Sequence, residues 1–160
     1  MIARLKFAAT VGIVILGTAQ IYAQVPPKFP SKIKSVTAKL YYSGSGTFSA
    51  NILDKPALAL WNTIIGEGGS GGASEATLIE VEVDGDGRGN VIHKERLTIT
   101  VQAKGKPAIT RHTAPLYFDE NGKHFEAVWL YDSGCLPVTI TAQLDNQPEI
   151  HKKIDFECGE

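Results

Sequence analysis

The sequence predicts an all-β protein: an antiparallel β-sandwich of immunoglobulin-like type, with eight or nine strands and one disulfide. Three observations predict it. Beyond residue 30, apolar and polar residues alternate with period two almost throughout. Clusters of Gly, Asp, Asn and Pro punctuate these runs at short intervals. The chain has two cysteines, Cys135 and Cys158, well apart in sequence. The usual immunoglobulin pattern, with a tryptophan between two distant cysteines, is missing, so the type rests on strand count alone.

The elements follow in order. Val36, Ala38, Leu40 and Tyr42 alternate with Thr37, Lys39 and Tyr41. After a Ser/Gly turn at 43–46, Phe48, Ala50 and Ile52 alternate again. Residues 54–66 are ambiguous. Asp54, Pro56 and Gly66 could cap a short helix, whereas the length and Ile64-Ile65 favour a strand buried on both faces. Residues 78–83 alternate around Glu80 and Glu82, and Leu97, Ile99 and Val101 alternate with Thr98 and Thr100. Asn121-Gly122 signals a hairpin. It leads into a strand with Phe125, Ala127, Trp129 and Tyr131 on one face, expected to be the core face. Tyr41, on the side opposite Leu40 and Tyr42, is the better candidate for an exposed aromatic able to stack on a sugar ring.

The closing hairpin pairs residues 138–144 with 150–156. Setting Cys135 opposite Cys158 would place Val138 against Asp155 and Ile140 against Lys153. A slip of one residue sets Val138 against Phe156, Ile140 against Ile154 and Leu144 against Ile150. Register follows the apolar face, so the second pairing is expected.

The N-terminus reads as a secretory signal peptide. Arg4 and Lys6 open it, an apolar run spans 7–16, and small residues lead to Ala23, the expected residue before the cut, with Ala19 second. The strong run is shorter than the ~20 residues of a membrane span, and no charged stop-transfer cluster follows. Three prolines in residues 24–30 make an extended lead-in, and 31–160 form a single domain. The expected location is secreted or periplasmic, with no membrane span after cleavage.

The chain holds 16 basic and 17 acidic residues; cleavage removes Arg4 and Lys6 and no acid, taking the net charge from −1 to −3. Nucleic-acid partners want a basic surface and are disfavoured. In an oxidising compartment Cys135 and Cys158 form a disulfide. It closes a loop of about 22 residues and contributes roughly 3 kcal/mol in the chain-entropy model.

The chemical motifs are weak. Gly66, Gly68 and Gly71 spell the dinucleotide pattern, but a β segment follows where a helix is needed. Gly68, Ser70 and Gly72 spell the nucleophile elbow, but without a large α/β sheet around it. Asp84, Asp86, Gly89 and Glu95 fall at positions 1, 3, 6 and 12 of a calcium loop. Arg88 stands at position 5, and the flanks read as strands. A calcium site here would use Asp84, Asp86, Asn90 and Glu95. His93, His112, His124 and His151 lack metal-ligand spacing and read as surface or strand-edge residues. No catalytic residue and no other cofactor is assigned.

The expected function is therefore an exported, non-catalytic binding or structural module with a protein or glycan partner. The competing readings are a small exported hydrolase of glycan or peptide, which needs converging carboxylates or a histidine beside a nucleophile, and a calcium-stabilised β domain.

Overall fold

The structure is a computed structural model that describes residues 31–53, 58–59, 74, 76–85, 92–132 and 136–157. The signal segment with its cleavage after Ala23, the lead-in 24–30, most of 54–73, and both Cys135 and Cys158 lie outside the described residues. The described residues are all-β, with no helix among them, and the strand segments are twelve. They are β1 (Lys32–Tyr42), β2 (Thr47–Phe48), β3 (Leu58–Ala59), β4 (Ala76–Asp84), β5 (Ile92–His93) and β6 (Leu97–Ala103), then β7 (Ile109–Thr113), β8 (Leu116–Tyr117), β9 (Lys123–Tyr131), β10 (Val138–Leu144), β11 (Ile150–Ile154) and β12 (Phe156–Glu157). Five of these are two-residue bridges, too short for periodicity to reveal.

Two four-stranded antiparallel sheets carry the fold, in the orders β2-β1-β4-β9 and β11-β10-β6-β7. Two small pairs, β5 with β8 and the parallel β3 with β12, complete it. The arrangement fits a β-sandwich. Val36, Ala38, Leu40, Ile79, Val81, Val83, Val128 and Leu130 of the first sheet share one buried cluster with Leu97, Ile99, Val101, Val138, Ile140 and Leu144 of the second. The pleat places these residues two apart on one side of each strand, which is why the alternation locates them.

β1 is tied to the chain that follows it by side chains as well as backbone. After Phe48 the chain leaves the ladder, yet Ser49 Oγ accepts from Leu40 N–H at 2.9 Å and Asn51 Oδ1 from Ala38 N–H at 3.0 Å. Ile52 then turns into the core. On the other side of the molecule, β9 and β7 are the sheet edges. Glu126, on the inward side of β9, accepts from Arg111 Nε and Thr113 Oγ1 of β7, both at 2.6 Å.

Two expectations are corrected. The first concerns β9: Val128 and Leu130 face the core, while Phe125, Trp129 and Tyr131 are exposed. A strand can be flipped by its neighbour's register. β4 buries Ile79, and the ladder sets Val128 opposite it. The inward His124 and Glu126 are tolerated because they sit at an edge, within reach of Tyr117 O, Arg111 and Thr113.

The second concerns the closing hairpin. Val138 pairs with Ile154, Ile140 with Lys152 and Ala142 with Ile150, two residues from the expected register. A slip of two keeps every side chain on its face, so face alone cannot choose between these pairings. The tertiary contacts choose. Asp145 exchanges hydrogen bonds with the Arg96 backbone, and Phe156 leaves β10 to pair with Leu58. Lys152 thereby points along the inner side of an edge strand, a placement that hinders edge-to-edge pairing with another chain.

Candidate functional site

The outer face of the first sheet carries an aromatic cluster. Register places Tyr41, Ala76 and Tyr131 in one row and Lys39, Leu78 and Trp129 in the next, with Phe48 beside Tyr41. The Tyr41 ring lies 5.3 Å from Phe48 and 5.9 Å, edge-on, from Trp129. Phe48 and Trp129 are 6.0 Å apart, and Trp129 and Tyr131 are 6.1 Å apart with planes within 18°. These spacings are those of favourable ring pairs. Trp129 is 37% exposed, Phe48 44% and Tyr131 68%, so the cluster is packed within itself yet open to solvent.

The adjoining rows are polar. Lys39 Nζ and Glu80 Oε1 lie 3.5 Å apart, and Lys123 Nζ donates to Glu82 Oε1 at 2.6 Å. Phe125, also exposed, lies opposite Glu82. Glu82 is held below its ordinary 4.5, first by the hydrogen bond from Lys123. The same bond raises Lys123. Asp119 is also lowered, chiefly by the Lys123 N–H, which it accepts at 2.7 Å along with Asn121 N–H at 2.9 Å. These bonds fasten the turn at Gly122, whose φ of 72° suits glycine; the expected hairpin is corrected to a turn between sheets, since β8 pairs with β5 and β9 with β4.

The signs give a pH prediction. Glu82 and Asp119, with depressed values, add stability above the ordinary carboxylate range that is lost as pH falls through their folded values. Lys123, with a raised value, adds stability below 10.5 that is lost as pH rises through its folded value. The destabilisation caused by Lys123→Gln is therefore largest between these limits and shrinks towards both extremes. Urea midpoints of both proteins across pH check this. A difference constant from pH 3 to 11, an interval set by roughly the reference carboxylate and lysine values, contradicts it.

The histidines divide. His112 and His151 lie on the edge strands β7 and β11, hydrogen-bonded to Thr98 and Thr141. His93 is corrected from surface to core, at 5% exposure. Its Nδ1 meets Ser31 Oγ at 2.9 Å and Glu95 Oε2 at 3.4 Å, while its buried Nε2 has no hydrogen-bond partner among the described residues. The residue types are those of a serine hydrolase, but the geometry is not. A working base takes the nucleophile on one ring nitrogen and the acid on the other; here both share Nδ1, and Ser31 is buried. His124 Nε2 is 4.0 Å from Glu126 Oε2, too far for a hydrogen bond.

Of the calcium residues, Asp86 and Asn90 lie outside the described residues. Asp84 ends β4 with its carboxylate 3.7 Å from Lys34 Nζ, and Glu95 turns to His93. Among the described residues no group of three or more His, Cys, Asp or Glu could hold a metal. The Gly-rich stretch 66–73 is outside the described residues.

No protein-family model matches the chain, and no curated protein matches its sequence. Among the described residues no helix is long and apolar enough to cross a membrane.

Tyr41 was legible as an outward aromatic. Trp129, Tyr131 and Phe125 were not, because both alternations of β9 carry apolar residues. A usable signal was present: Ile79, Val81 and Val83 fix the inward face of β4 strongly, and β9 had to match it.

Proposed function

We propose that this protein is an exported, non-catalytic binding module that takes glycan on the outer aromatic face of its first sheet. The observation that carries the reading is the contact of Tyr41, Phe48, Trp129 and Tyr131 on an exposed sheet face. A pyranose ring has a C–H-rich face suited to an aromatic face, and a rim of hydroxyls that wants donors and acceptors. Lys39 and Glu80 stand beside the rings in that role. Aromatic side chains also give large contact area at low conformational cost. Glu80 and Glu82 lie on one strand and are each paired to a lysine, an arrangement suited to a hydrated face more than to acid–base chemistry.

The immunoglobulin-like type is part of the proposal. Ignoring the two-residue β2, the sheet orders are β1-β4-β9 and β11-β10-β6-β7. Lettered in chain order, these follow the A-B-E and G-F-C-C′ arrangement. Export, to the periplasm or the medium, rests on residues 1–23.

The test is a glycan array followed by titration calorimetry on the best binder. Trp129→Ala is expected to lower affinity at least about tenfold, as hot-spot aromatics do, with its thermal midpoint close to that of wild type. An array without glycan binding, or a Trp129→Ala protein that binds as well as wild type, overturns the reading.

A further inference from the structure

The same outer face ends in a lysine-lined cleft. Lys32 pairs with Asp84, and Asp84 with Lys123, in the last row of the sheet. With Lys34, Asn121 and Gly122 they line a cleft of about 640 Å³. Three lysines there meet one aspartate. Lys34 is engaged by Asp84 and Lys123 by Glu82, whereas Lys32 has no acidic partner among the described residues. Counting Glu82 and Asp119, which both act on Lys123, the acids equal the lysines in number, and it is Lys32 that is left with an uncompensated charge among the described residues.

The cleft and the aromatic cluster lie along one strand. Lys123, Phe125, Trp129 and Tyr131 follow one another on the outer side of β9. At about 3.3 Å per residue, Phe125 and Trp129 are ~13 Å apart, and Lys123 and Tyr131 ~26 Å. Ala127, small, separates the two ring positions. A single sugar cannot span such a track; a chain of linked sugars can.

Resting on the glycan reading above, we infer that the ligand is an acidic oligosaccharide lying along β9, its rings on Trp129 and Phe125 and an anionic group in the cleft with Lys32. The net charge of the whole chain does not oppose this. Beyond a Debye length of ~8 Å at physiological salt the distant acids are screened, and locally Lys32, without an acidic partner among the described residues, decides. Exposed ion pairs are individually weak, so the preference over neutral sugar is moderate and salt-dependent. Carboxylate and sulfate are both served by this chemistry.

The experiment compares four probes of equal length with the full mature protein: a hexagalacturonate, a sulfated heparin-type hexasaccharide, cellohexaose, and a hexadeoxynucleotide. At low salt one acidic hexasaccharide is expected to bind about tenfold tighter than cellohexaose, the gap closing towards 1 M salt. Lys32→Glu, on an exposed position, brings acidic binding down to the cellohexaose level and leaves cellohexaose binding intact. Equal binding of acidic and neutral sugars, both weakened by Trp129→Ala, overturns this inference and leaves the glycan reading standing. Tighter binding of the hexadeoxynucleotide than of either acidic sugar overturns the inference. Binding of no sugar overturns both readings.

Discussion

Phe118→Ala is expected to destabilise the protein by about 3–5 kcal/mol, the range for emptying a buried phenylalanine site. Phe118 is 2% exposed and joins the hydrophobic cluster. Its ring lies 4.6 Å from His93 and 5.9 Å from His124, two imidazoles whose buried Nε2 atoms have no hydrogen-bond partner among the described residues. The ring therefore packs between two imidazoles. Gly85 closes the remaining side. A Cβ there would stand 2.6 Å from Phe118 Cε1 and 2.8 Å from Cδ1, closer than carbon atoms pack. Gly85→Ala is expected to cost about 1–3 kcal/mol by overpacking, since the ring has little space for retreat. The two effects are coupled: in a Phe118→Leu background Gly85→Ala costs less, because the smaller side chain leaves room. Urea denaturation of the four proteins of this cycle measures the coupling. Additive losses would show that the glycine does not pack against the ring.

Glu126→Ala is expected to cost about 2 kcal/mol. The carboxylate is 11% exposed and accepts two bonds from β7 across the open side of the two sheets, both with charged or hydroxyl donors. Hydrogen bonds to charged groups contribute roughly 1.5–3 kcal/mol. Arg111, at 56% exposure, recovers hydration when its partner goes, which keeps the loss from reaching the top of that range. Glu126→Gln, which keeps the size and one acceptor for Thr113, is expected to cost less. A midpoint shift with unchanged slope in urea reports this. A loss below about 0.5 kcal/mol, the range of ordinary surface changes, would show that the Arg111–Glu126 pair is a surface ion pair without structural weight.

Both sites show where sequence reading stops. His93 and Glu95 are two apart and were read as surface and calcium-loop residues. Their real partner, Ser31, lies 62 positions away from His93. Nothing in the sequence singles out Glu126, because Arg111 and Thr113 reach it through a contact between two sheets. The aromatic face is the same case. Tyr41, Phe48 and Trp129 come from three strands, and only the ladders β1–β2, β1–β4 and β4–β9 bring them together.

By itself the sequence determined the all-β class, the inward faces of β1, β4, β6 and β10, and the turn at Asn121-Gly122. Each follows from alternation or from backbone preference within a few residues, so the chain states it locally. The tertiary structure decided which side of β9 faces out, the register of β10 with β11, and the burial of His93. In β9 both alternations are apolar enough to bury, and in the closing hairpin a slip of two leaves every face unchanged. Local pattern is degenerate in those places, and packing against distant strands removes the degeneracy.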